Sequence, residues 1–280
     1  MEPIFKKNCI IGEGPVWCER NKRLYFVNPV KANEICSVNA DGSEPKERRL
    51  PVAVTALGFT KDGGLIISSF EGGVFLFDEE TGERKQLADI IGCNDAKVGP
   101  DGCFYVGTQS SKRLGKSDEI DGKLYRIDKS GNVTVLLDGL ILSNGLDWSA
   151  DEKRFYHTDS DTNYIKEYNY DSEHGSISYT GRACYVPGVD GFAIDERGII
   201  YAACWGREHI ALVDTEKMEV VGYIDTPVPI PTSCCFFGEE IDMLAVTTAN
   251  FDDTARENPE SGYTFREKMS TKGKKPYLFG

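Results

Sequence analysis

The chain has 280 residues, enough for a large buried core in one domain or two. Its 32 Lys and Arg stand against 45 Asp and Glu, and the resulting net charge of -13 repels a phosphate backbone, which excludes nucleic acid as the main partner and leaves a divalent cation as the easier one. No window approaches the roughly 20 apolar residues of a membrane span, and the start, MEPIFKKNCIIGEGPVW, has no long apolar run, so a cytoplasmic protein made without a secretion signal is expected.

From Glu13 onward one outline recurs: a polar residue, an apolar residue four positions later, a turn rich in Asp, Glu, Asn or Gly, and an apolar strand. The segments begin with EGPVWCERNKRLYFVN at Glu13 and TALGFTKDGGLIISSF at Thr55. NDAKVGPDGCFYVGTQ at Asn94 and NGLDWSADEKRFYHTD at Asn144 follow. DGFAIDERGIIYAACW at Asp190 and TSCCFFGEEIDMLAVT at Thr232 complete the set. Their apolar marks, Trp17, Phe59, Val98, Trp148, Ile194 and Phe236, are spaced 42, 39, 50, 46 and 42 residues apart, within the roughly 40 to 50 residues of a propeller blade. Each segment leads into a further strand pair, as in GGVFLFDEETGERKQL and GKLYRIDKSGNVTVLL, whose D-x-x-T-G and D-x-x-G turns suit hairpins. No window keeps the 3.6-residue apolar period of a helix for three turns. The expectation is an all-β fold, one six-bladed β-propeller over residues 1–280 with four-stranded blades around a central channel.

The nine cysteines, an odd number without a C-x-x-C pair, predict reduced, buried small hydrophobes and not a zinc or dithiol site.

In a propeller the first strand of each blade lines the channel. The first positions of the six segments, Glu13, Thr55, Asn94, Asn144, Asp190 and Thr232, therefore form a ring in which every side chain carries an oxygen and none is basic. Two carboxylates confined in one channel repel unless a cation lies between them. Glu13 and Asp190, with amide oxygens from Asn94 and Asn144, make a donor set suited to a hard divalent ion. Gly14, Gly145 and Gly191, beside ring residues, predict crowding at the strand starts.

With these residues in view the chain resembles the SMP-30/gluconolactonase/luciferin-regenerating enzyme family, the regucalcin-like lactonases. The blocks GEGPVW, CNDAKVGPDGCFYVGT, SNGLDWSADEKRFYHTDS, VDGFAIDERGIIYAACWG, PTSCCFFGEEIDMLAVTTA and KGKKPYLFG look like that family's blocks in its order. The resemblance implies a six-bladed propeller with one divalent metal, calcium first, with zinc, magnesium or manganese as alternatives. Its ligands would be Glu13, Asn144 and Asp190, and Asn94, followed by Asp95, would stand beside the substrate. Family members that handle aldonolactones carry an Arg two positions before that Asn. Here Gly92 occupies the place, which implies a smaller or less hydroxylated lactone. Gln109, in GTQ where GTM is usual, is the expected substitute donor. The acidic loop GKSDEIDGKLY, with Asp118 and Glu119, lies where the family has a loop over the substrate.

The activity so implied is metal-dependent opening of a small-molecule lactone to a hydroxy acid, with Asp190 as general base and Asn94 orienting the substrate. Two alternatives remain at this stage: a phosphotriesterase of the diisopropylfluorophosphatase type, and a calcium-binding propeller without turnover. No G-x-S-x-G and no histidine at the ring positions point to a nucleophile triad.

Overall fold

A computed structural model describes residues 1–280, apart from the side chain of Thr254. The described residues form six sheets, and the periodicity of the sequence is their origin. Blade one (residues 13–49) pairs Glu13–Cys18, Arg23–Asn28, Glu34–Asn39 and Lys46–Arg49 in chain order. Blades two (54–88), three (93–140), four (143–185) and five (189–225) repeat this antiparallel meander. Blade six takes three strands from residues 231–268, and its outermost strand is Glu2–Phe5, paired with Thr264–Lys268. The ring is thus closed by chain segments from opposite ends of the sequence.

The apolar marks of the repeat are the residues that the blades bury against one another, all between 0% and 5% exposed. Trp17 packs on Phe237 of blade six, and Trp148 of blade four lies edge-on to Tyr105 of blade three at 4.8 Å between ring centroids. Such aromatic contacts between neighbouring sheets supply both area and orientation. Among the described residues regular helix is confined to one turn, Asp253–Glu257, where Asp252 caps the start by accepting from the Ala255 N–H at 2.8 Å, and a 3-10 turn at Ser160–Thr162. Among the described residues no helix is long and apolar enough to cross a membrane. All nine cysteines are free, and eight are buried.

In every blade the register between first and second strand slips at or beside the ring position: Glu13/Val16, Val54/Ala56, Cys93/Ala96, Asn144/Leu146, Val189/Phe192 and Pro231/Ser233. A bulge bends the strand and re-aims one side chain. Six bulges at one height turn the strand starts toward the channel mouth. The crowding expected at Gly145 is real, since a Cβ there would lie 2.4 Å from the Phe192 ring and 2.5 Å from the Asp190 carbonyl oxygen of the next blade.

Residues 269–280 run beneath the opposite end of the channel and touch all six blades. Met269 N donates to Asp242 O, Glu196 N to Lys272 O, and Gly280 N to Gly102 O. Lys274 reaches Asp147, Lys275 reaches Glu19, and Leu278–Phe279 adds a parallel strand to the innermost strand of blade two.

Candidate metal and substrate site

The bulged strand starts open into a cavity of about 670 Å³ at one end of the channel. Five of the six ring residues, Glu13, Thr55, Asn94, Asn144 and Asp190, line it, as does Asp95. The sixth, Thr232, is fully buried instead, and its hydroxyl bonds to the Gly12 carbonyl at 2.5 Å and to Thr247 at 2.9 Å.

Glu13, Asp95 and Asp190 come from blades one, three and five and face one another. Burial, then the carboxylates of Asp190 and Asp95, hold the Glu13 carboxyl well above the usual range, with only the Gly14 N–H opposing. Burial and then Asp95 raise Asp190, against the Asn144 amide and the Arg113 charge. Burial pushes Asp95 up to about 6, partly offset by Lys97. These directions describe three carboxylates lacking sufficient positive charge.

The donor set fits a hard cation. One oxygen of Glu13 accepts from the Gly14 N–H at 3.1 Å, and one oxygen of Asp190 accepts from the Asn144 amide. Among the described residues the second oxygen of each has no donor. Asn144 gives its Nδ2 to Ser160 and Asp190, which leaves its oxygen without a protein partner. Among the described residues no three Asp, Glu, His or Cys side chains are placed to hold an ion alone, so a cation bound here would need an amide oxygen as well. Asn144 is the residue positioned for that.

Other expected site residues are placed differently. Asn94 is tied at both ends: its Nδ2 donates to Ser143 O and its Oδ1 accepts from Gln109 Nε2, each at 3.0 Å. Gln109 lines the cavity, but this bond commits one of its donors. Glu119 and Asp118 are exposed and do not line the cavity, because residues 110–121 fold on themselves through Lys112 N to Glu119 O and Ser111 Oγ to Asp121. The same loop delivers Arg113 instead. Its guanidinium is half-exposed, lines the cavity and approaches Asp161 of blade four at 3.6 Å. Gly92 does not line the cavity; its φ of +79° and a Gln109 oxygen 3.4 Å from a Cβ position make any side chain there strained. The absence of an Arg at Gly92 therefore does not leave the cavity without a guanidinium.

Sequence reasoning also missed Ser160, Asp161, Trp205 and Phe251. The signal was present. In an antiparallel pair the end of the second strand lies beside the start of the first, so the last position of each repeated segment and the residues after it border the ring. Phe70, Gln109 and Trp205 are such last positions.

The family description SMP-30/Gluconolactonase/LRE-like region matches residues 11–250 of the chain. Pentonolactonase XacC of Haloferax volcanii is 31% identical over 289 residues, covering 97% of this chain and 95% of that one. Regucalcin of Sus scrofa is 29% identical over 301 residues, covering 100% and 98%. The crystal structure of a calcium-binding regucalcin from Agrobacterium tumefaciens superimposes with a TM-score of 0.88 at 26% identity, over 99% of this chain and 96% of that one.

Proposed function

Because the chain belongs to the SMP-30/gluconolactonase/LRE-like family, we propose that it is a lactone hydrolase that works with one divalent cation held by Glu13, Asn144 and Asp190. The observation that carries this reading is the convergence of Glu13, Asp95, Asn144 and Asp190, far apart in sequence, on one cavity with oxygens left unpaired. Calcium is the first candidate, on the hard, all-oxygen donor set and on the likeness to the calcium-binding Agrobacterium regucalcin.

A bound cation would polarise the lactone carbonyl and lower the cost of charge developing on its oxygen. Asp190 would face the cation with the oxygen that has no protein donor, and a lone pair of its other oxygen, beside the Asn144 amide, takes the proton from the attacking water. The water oxygen bonds to the acyl carbon, the ring C–O bond breaks, and the leaving alkoxide receives the proton that Asp190 had taken, giving a hydroxy acid and restoring the carboxylate. Asn94, held by Ser143 and Gln109, is a rigid wall group with one amide hydrogen to spare for the substrate. Arg113 supplies a guanidinium for ring substituents or for the product carboxylate.

The test is a pH-indicator assay of a lactone panel and a phosphotriester with calcium, zinc, magnesium or manganese supplied. Lactone turnover abolished by chelation is the expected result. Phosphotriester turnover alone, or a chelator-dependent fall in Tm without any turnover, overturns it.

A further inference from the structure

The cavity wall above the acidic floor is divided into two unlike arcs. Blades three and four present Gln109, Arg113, Ser160 and Asp161. The arc formed by blades five, six, one and two presents Trp205, Phe251, Ile11, Val30 and Phe70, with Asn33 and the exposed Lys31 and Glu71 on the side of blades one and two. Phe251 is 47% exposed and stands edge-on to Trp205, with ring centroids 5.8 Å apart at 69°. The Trp205 side chain is backed by a buried cluster of Ile230, Ala249 and Ala255. Its backbone is anchored by the N–H donating to Gly188 O at 2.7 Å. An aromatic pair so supported is a fixed shelf facing the cavity.

The geometry points to a substrate with two ends: a lactone ring over the Asn144 and Asp190 floor, and an alkyl or aryl substituent laid on the Trp205–Phe251 shelf. This rests on the lactone-opening reading and narrows its substrate class. A ring bearing hydroxyls on every carbon would turn several toward Phe251, Ile11, Val30 and Phe70, whose side chains offer no hydrogen-bond partner. An apolar substituent instead covers the exposed Phe251 face and gains affinity with each methylene buried. The polar arc then serves the ring and its carboxylate product.

The experiment uses calcium-loaded protein and δ-lactones without a substituent or with methyl, propyl or pentyl groups on the ring. We expect kcat/KM to rise roughly threefold per added methylene, and the slope against chain length to flatten in Phe251→Asn and in Trp205→Ala. A flat series, or glucono-δ-lactone preferred over the pentyl lactone, overturns the shelf. Binding is read separately. Trp17 and Trp148 are buried and Trp205 is the partly exposed tryptophan, so intrinsic fluorescence reports the cavity. The corresponding alkyl δ-lactams, which resist hydrolysis, should change that fluorescence with affinity rising with chain length, and Trp205→Phe should remove the signal. Chain-length-dependent lactam binding without turnover of any lactone supports the shelf and sinks the hydrolase reading. Turnover without chain-length dependence does the reverse.

Discussion

Asp190 and Asn144 touch each other, yet their substitution separates charge from ligation. Asp190→Asn removes the proton acceptor and half of the charge that Glu13 and Asp190 offer a cation, so kcat should fall by roughly 100-fold or more. Asn144→Asp keeps an oxygen at the same place and should lose less. Equal losses, with metal content measured in each variant and found unchanged, would move the base elsewhere. Asp95 behaves in the opposite sense for stability. A carboxyl raised in the folded state favours folding only below its unfolded pKa and opposes it as pH rises, so at pH 7.5 the metal-free cluster is destabilising. Asp95→Asn should therefore raise the Tm of chelated protein, by roughly 2 to 4 °C for each kcal/mol relieved. His157 gives the contrasting case. It is buried, stacked on Phe155 and bonded to Ser143 at 2.8 Å, and burial, with Lys166, depresses it to about 3. The unfolded chain takes up a proton near pH 6.5 that the folded one refuses, so stability falls at about 1.4 kcal/mol per pH unit as pH drops from about 6 toward 4. Urea titrations at several pH values should show this limb flattened in His157→Gln.

The segment 269–280 carries the clearest consequence at the level of elements. Asp147 is buried between Lys97 at 3.2 Å and Lys274 at 2.7 Å, and it accepts from the Trp148 and Ile194 N–H groups as well. Lys274→Met should cost less than the roughly 3 to 5 kcal/mol usual when a buried charge is orphaned, because Lys97 remains as a partner. Denaturant midpoints of the variant and the native chain measure it. This segment was not legible as a strap in the sequence. KGKKPYLFG has no repeat phase, and its partners lie in six separate blades. The strands were legible because apolar spacing and turn chemistry are local properties, and Glu13, Asn94, Asn144 and Asp190 were legible because a repeat converts sequence phase into height in the channel. Arg113 lies in a long connection where phase is lost. The charge of Glu119 points to it in the same loop, but turns of the loop, not charge, decide which side chain faces the cavity.

At the scale of the molecule, two chain segments remote in sequence complete blades six and two, so we expect residues 1–280 to unfold as one domain in a single calorimetric transition. Removing residues 1–5 uncovers the buried Ile4 and Phe5 positions and leaves Thr264–Lys268 as a bare edge. It should cost roughly 3 kcal/mol or more and lower Tm without creating a second transition. Closure also has a consequence in time. Glu2 is synthesised 264 positions before its partner Arg266. While residues 6–230 are made, blade six consists of its outer strand alone, the inner strand of blade two lacks its parallel neighbour, and the channel has no base. The ring cannot hold Glu13 and Asp190 at their final separation until it closes. The emerging chain thus carries its acidic residues apart and solvated, and brings them together only when residues 231–268 close the ring.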